Sequence, residues 1–124
     1  MMILTLTALT ASVQPPADRS YILVDTERPA QEIAQCVAGY WDEGGRSDVG
    51  VTAYGFKVDF RFGNFGGAVK DPTVSMEIHA TEGGNSLLMY GFGTWRGAIK
   101  NLWKQTAKRC YPELFKVSVV KALP

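Results

Sequence analysis

His79 is the only imidazole in a chain of 124 residues, and it stands two positions after Glu77 in the alternating run from Val74 to Ala80. A catalytic centre built on two imidazoles and a multi-histidine metal site are therefore both excluded. What the residue types leave open is proton transfer by a histidine and carboxylate pair. Lys57, Asp59 and Arg61 become its neighbours if their strand pairs with that of His79. Ser75 shares the alternation with Glu77 and His79 but has no G-x-S-x-G surroundings to activate it. Rows of alternating charge are also the ordinary covering of a solvated sheet face. The expectation is an open-face site made of Lys57, Asp59, Arg61, Glu77 and His79, with no catalytic residue, no metal and no cofactor.

Two glycine-rich segments, Gly63-Asn64-Phe65-Gly66-Gly67 and Gly91-Phe92-Gly93, raise the question of phosphate binding. A phosphate loop runs from a strand into a helix whose first amides face the anion, usually with a lysine at fixed spacing. The first segment lies between two strands, and the second carries neither G-x-x-x-x-G-K-[ST] nor G-x-G-x-x-G. Turns and close backbone packing account for both.

Charge is laid out unevenly. Residues 1 to 50 carry seven acidic and three basic side chains, whereas Arg96 to Lys121 carry seven basic ones and a single acid, Glu113. Arg96, Lys100, Lys104, Lys108 and Arg109 form a basic helical surface suited to an anion or an acidic partner. Such a face is commonly just solvated, and the acidic first half can neutralise it within the molecule.

Glycine doublets at 44–45, 66–67 and 83–84 punctuate the elements that must position these residues. Tyr21 to Val24 is a short apolar run, read as a strand. In Pro29 to Asp42, residues Ile33, Cys36, Val37 and Tyr40 recur at helical spacing, with Pro29 suited to a first turn. Tyr54 to Phe62 and Val74 to Ala80 alternate with period two, and Ser86 to Thr94 is apolar on both faces. In this last run the expected phase turns Leu88, Tyr90 and Phe92 toward the helices and Leu87 and Met89 outward. Trp95 to Cys110 returns to helical spacing through Ile99, Leu102, Trp103, Thr106 and Cys110. The tail from Tyr111 is read as an edge strand or an unstructured end. The order β-α-β-β-β-α, with or without a final β, predicts an α+β two-layer sandwich. Three to five antiparallel strands carry two helices on one face.

With 13 basic and 12 acidic side chains, the chain has no bulk charge to draw it to nucleic acid or an anionic membrane. Its 46% apolar content is enough to fold most of the length round one core. Residues 1–17 read as a signal-peptide-like leader and linker, and 18–124 as one α+β domain. The leader begins with the uncharged run Met1 to Ala11, too short to span a bilayer and without a basic residue ahead of it. That predicts a periplasmic or secreted protein with no transmembrane helix. In an exported chain Cys36 and Cys110, 74 positions apart, are read as one disulfide, since zinc and redox motifs hold their thiols much closer.

The leader ends near Leu9-Thr10-Ala11-Ser12, a lipobox-like tetrapeptide with Ser12 where a lipidated cysteine would stand. Together with Ala34-Gln35-Cys36-Val37, glycine-punctuated strands and a last helix ending in Cys110, this resembles small exported proteins of bacteria. The resemblance implies an envelope or secreted domain with a disulfide, and supplies no active-site residues. The functional expectation is an exported, non-enzymatic binding or envelope-accessory module for a protein or a surface glycan, with inhibitors and immunity-type proteins as specific forms. Two other classes remain. One is a small hydrolase or isomerase using His79 and Glu77. The other is a cytosolic nucleic-acid module using the basic last helix, the least favoured once export is assumed.

Overall fold

A computed structural model describes residues 13–16, 19–62, 73–91, 96–116 and 120–121. Tyr21–Thr26 forms β1 and Ala30–Asp42 forms α1, followed by β2 (Gly45–Thr52), β3 (Gly55–Phe62), β4 (Val74–Thr81) and β5 (Gly84–Gly91). Arg96–Cys110 forms α2, a single 3-10 turn spans Pro112–Leu114, and Val120–Lys121 closes the series as β6. The strands lie in one sheet in the order β2-β3-β4-β5-β1-β6, every neighbouring pair antiparallel. The expected α+β architecture holds, with the tail contributing its final strand. Of the leader and linker expected at residues 1–17, all but residues 13–16 lie outside the described residues. Among those described, no helix is long and apolar enough to cross a membrane.

Alternation decides which side of the sheet meets the helices. Ile22 and Val24 of β1, Val58 and Phe60 of β3, Val74, Met76 and Ile78 of β4, and Leu87 and Met89 of β5 all join one buried cluster. From α1 that cluster takes Ile33, Ala34, Val37 and Trp41, and from α2 it takes Ile99, Trp103, Ala107 and Cys110. Each of the larger aliphatic side chains in it contributes about 1.5–3 kcal/mol relative to exposure. The buried stripe of α1 is rotated from the expected one. Trp41 fills it, while Cys36 and Tyr40 sit half-buried on the flank. That flank faces α2, which is why Cys36 reaches Cys110: the two are disulfide-bonded, with Cα atoms 5.7 Å apart.

Two further features correct the expectations. Leu87 and Met89 point to the helices, not outward, because they stand opposite Ile78 and Met76 on β4 and Val24 and Ile22 on β1. Leu88 and Tyr90 are the outward pair, buried all the same, while Phe92 lies outside the described residues. Both sides of β5 are thus covered, and an apolar run has no internal phase to reveal which is which.

The second feature is an added strand. Gly45–Thr52 carries no buried side chain, so no amphipathic pattern marks it. It forms as the outer arm of a hairpin, with Thr52 opposite Gly55 across the turn at Ala53 and Tyr54. Its start is pinned to α1: the Ser47 N–H donates to Asp42 Oδ1 at 2.8 Å, and the Ser47 hydroxyl reaches the Ala38 carbonyl at 2.9 Å.

Candidate functional site

On the sheet face away from the helices, the ladder registers place side chains in rows. One row runs Gly55, His79, Ser86, Asp25; the next runs Lys57, Glu77, Leu88, Leu23; the third runs Asp59, Ser75, Tyr90, Tyr21. Lys57, Asp59, Arg61, Glu77 and His79 therefore do share one face, as their alternation predicts. Cross-strand spacing of about 5 Å puts each within reach of its neighbours.

Glu77 is the hub. Its Oε1 lies 2.8 Å from His79 Nε2, and its Oε2 accepts the Tyr90 hydroxyl. Against a carboxylate oxygen, which accepts, Nε2 is the donor. The other ring nitrogen, Nδ1, is buried and has no hydrogen-bond partner. Tyr54, from the β2–β3 turn, stacks on the His79 ring with centroids 5.5 Å apart and planes 16° from parallel. One ring nitrogen is engaged and the other is enclosed, so neither is open to a substrate in this arrangement. Burial together with the bond to the Glu77 carboxylate pushes the Tyr90 phenol well above its ordinary value. It is a proton donor held in place rather than an acid poised to titrate.

The rest of the face is similarly interlocked. Ser75 donates to Asp59 Oδ1 at 2.5 Å, Lys57 Nζ lies 3.9 Å from the same oxygen, and Arg61 pairs with Asp48 at 3.0 Å. Ser86 donates to Asp25 at 2.6 Å. Ser75, Ser86 and Tyr90 are buried, so what this face presents is the charge of Lys57, Asp59, Arg61 and Asp48. Tyr54, half-exposed beside it, adds an aromatic plane. Sequence reasoning missed Tyr54 and Tyr90. Tyr90 could be found only by fixing the phase of β5, and Tyr54 only by knowing that the turn folds back over His79.

The basic helical surface is more divided than its sequence suggests. Arg109 bonds Glu43 of the α1 end at 2.6 Å and lies over the Tyr40 ring, and Lys108 stands 5.9 Å from the centroid of Phe115. Lys100 is exposed and Lys104 half-buried; the side chain of Arg96 lies outside the described residues. The acidic half of the chain thus neutralises part of this surface directly. A second internal tie joins Arg28 and Glu113 through two bonds, of 2.5 and 2.8 Å, holding the Glu113 carboxyl below the usual carboxylate range.

Two clefts lie off the open face. One of about 610 Å³ is lined by Asp25, Glu27, Arg28, Glu82 and Glu113 among others, and one of about 540 Å³ lies between the helices, lined chiefly by Tyr40, Trp41, Phe60, Val74 and Leu102. Among the described residues no three metal-ligating side chains converge. Comparison with protein-family models, with curated proteins and with solved structures finds no match.

Proposed function

We propose that the chain is an exported, non-enzymatic binding or envelope-accessory module, periplasmic or secreted. Its partner, a protein or a surface glycan, would be recognised at the face of Lys57, Asp59, Arg61, Glu77 and His79. The observation that carries this reading is the Cys36–Cys110 bridge between the two helices. Such a bond persists where thiols are not kept reduced, and its loop is long enough to stabilise the fold by about 4 kcal/mol. The state of the imidazole supports the second half of the reading. With Nε2 bonded to Glu77 and Nδ1 enclosed, the cluster rigidifies a surface and offers no base. A protein that inhibits or neutralises another would use a surface of the same character.

Intact mass of the protein recovered from fractionated native cells tests the proposal. The expected species is found outside the cytoplasm, has lost its N-terminal leader and is two hydrogens lighter than the reduced chain. An uncleaved, reduced, cytosolic species overturns it and favours a nucleic-acid module using Arg96, Lys100, Lys104, Lys108 and Arg109, whose binding would weaken steeply with salt. A turnover abolished by His79→Ala would instead favour a hydrolase or isomerase.

A further inference from the structure

The two edges of the sheet are unlike. At one side β6 is two residues long, whereas at the other β2 presents eight residues and pairs only with β3 among the described residues. Long edges of this kind are ordinarily blunted by lysine, proline or a bulge, because their unpaired amides and carbonyls template another strand. No lysine or proline lies in Gly45–Thr52.

Which amides face outward follows from one bond. The Ser47 N–H donates to Asp42, a residue of α1, and so points away from β3. In an antiparallel ladder the direction alternates residue by residue, so Val49 and Val51 also turn their N–H and C=O to the open side, while Asp48 and Gly50 turn theirs to β3. The same two valines are exposed, Val49 by 49% and Val51 by 83%, and with Tyr54 of the adjoining turn they make up the exposed large hydrophobics among the described residues. Open backbone and open apolar surface coincide at two alternate positions, Val49 and Val51.

We propose that β2 pairs with β2 of a second copy of this chain, antiparallel about a two-fold axis through Gly50, joining two sheets into one. The register follows from the residues available. With Gly50 opposite Gly50 of the second copy, Val49 of each chain stands opposite Val51 of the other, and both outward-facing residues exchange N–H and C=O bonds. The four valines then lie together on one side of the joined sheet, while Asp48 stands opposite Thr52 with no like charge facing it. Sliding the pair by two residues to centre it on Val49 sets Val51 against Ser47, whose N–H is already taken by Asp42. Centring it on Asp48 sets two carboxylates face to face. Gly50 suits the axis, where the Cα atoms of a non-hydrogen-bonded pair come closest. A Cβ there would meet nothing within 4 Å in the single chain, so its own fold does not require a glycine. A self-complementary patch that closes on two copies is the commonest form of homo-oligomer.

The test uses the full chain and a charge exchange matched to the register. Sedimentation over a hundredfold range of concentration should show a doubling of mass for the parent chain. The variants Val49→Lys/Val51→Lys and Val49→Glu/Val51→Glu should each remain single. Mixed in equal amounts they should restore the doubled mass, because every lysine then faces a glutamate. Amide exchange gives a second reading: Val49 and Val51 should gain protection as concentration rises, while Asp48 and Gly50 stay protected throughout. Both sites are exposed, so at concentrations where the parent is single the thermal unfolding of the variants should match it. A parent chain single at every concentration overturns the proposal. So does doubling unaffected by either charged variant, or a mixture of folded variants that fails to associate. None of these outcomes bears on where the protein resides or whether it is an enzyme, so this inference and the proposed function fail separately.

Discussion

Trp41 of α1 donates its indole N–H to the Thr106 hydroxyl of α2 at 2.9 Å, with both side chains buried. Thr106 donates its own O–H to the Leu102 carbonyl at 2.7 Å, so one hydroxyl satisfies a donor from the neighbouring helix and ties itself to its own. Helical spacing places Thr106 on the inner stripe of α2 but leaves Trp41 off the expected stripe of α1, and only this pairing explains why a hydroxyl is acceptable there. A buried indole N–H left without an acceptor is costly, and a threonine at this point removes that cost. The bond is thus a second tie between the two helices, besides the Cys36–Cys110 bridge.

Replacing Thr106 by valine keeps the shape and removes the acceptor. The expected loss is about 1–3 kcal/mol, the penalty of an unsatisfied buried donor, read as a lower urea midpoint with an unchanged slope. Thr106→Ser should keep most of the stability because it keeps the oxygen. Equal losses in the two variants would mean that the methyl, not the bond, matters.

Cys36 and Cys110 close a loop of 74 positions, and the reduced or doubly serine-substituted chain should be less stable by about 4 kcal/mol. Chemical unfolding with and without a reductant measures the difference directly. A gap near zero would show that the Trp41–Thr106 contact and the surrounding core already fix the helices.

How far the sequence reaches is clear from these residues. The alternation of Val58 and Phe60 against Lys57, Asp59 and Arg61, and of Met76 and Ile78 against Glu77, is a direct record of one apolar face and one polar one, so β3, β4 and the membership of the cluster are legible. The stripe Ile99, Trp103, Thr106 and Cys110 is legible for the same reason. β2 leaves no such record, since its identity rests on pairing with β3 and on the Ser47–Asp42 bond rather than on burial. β5 is covered on both sides, so its phase is decided by partners on β1 and β4, and Tyr90 stays hidden until they are known. The ring that stacks on His79 is that of Tyr54, which sits 25 positions earlier in a turn that gives no hint of its direction.

Tyr90 and Tyr111 give the protein an alkaline limit. Burial raises both phenols above the ordinary value of 10.0, with the Glu77 carboxylate adding to the effect at Tyr90. For a group whose folded value is raised, the stabilisation is whole below the unfolded value and is lost as pH climbs toward the folded one. Stability should therefore hold up to about pH 10 and fall above it. Two of the five tyrosines should form phenolate only as the chain unfolds, seen by ultraviolet absorbance. Tyr90→Phe should flatten part of that alkaline decline. All five tyrosines titrating together while the fold persists would contradict the burial of both hydroxyls.

Gly55 and Gly50 sit five positions apart in one hairpin and should answer substitution in opposite ways. Gly55 opens β3 at φ +155, a conformation that side chains rarely adopt, and a Cβ there would strike the Ile78 carbonyl of β4. The collision is with backbone, so it is relieved only by parting β3 from β4, next to the row that carries His79. Gly55→Ala should cost more than about 1 kcal/mol, because strain outweighs the entropy gained in the unfolded chain. Gly50 lies on the outer strand with open space round its Cα and no positive φ, so Gly50→Ala should leave stability unchanged or slightly raised. Thermal unfolding of the two variants side by side checks the contrast. Equal effects would mean that the hairpin shifts as a unit and that the contact between Gly55 and the Ile78 carbonyl does not hold β3 in register with β4.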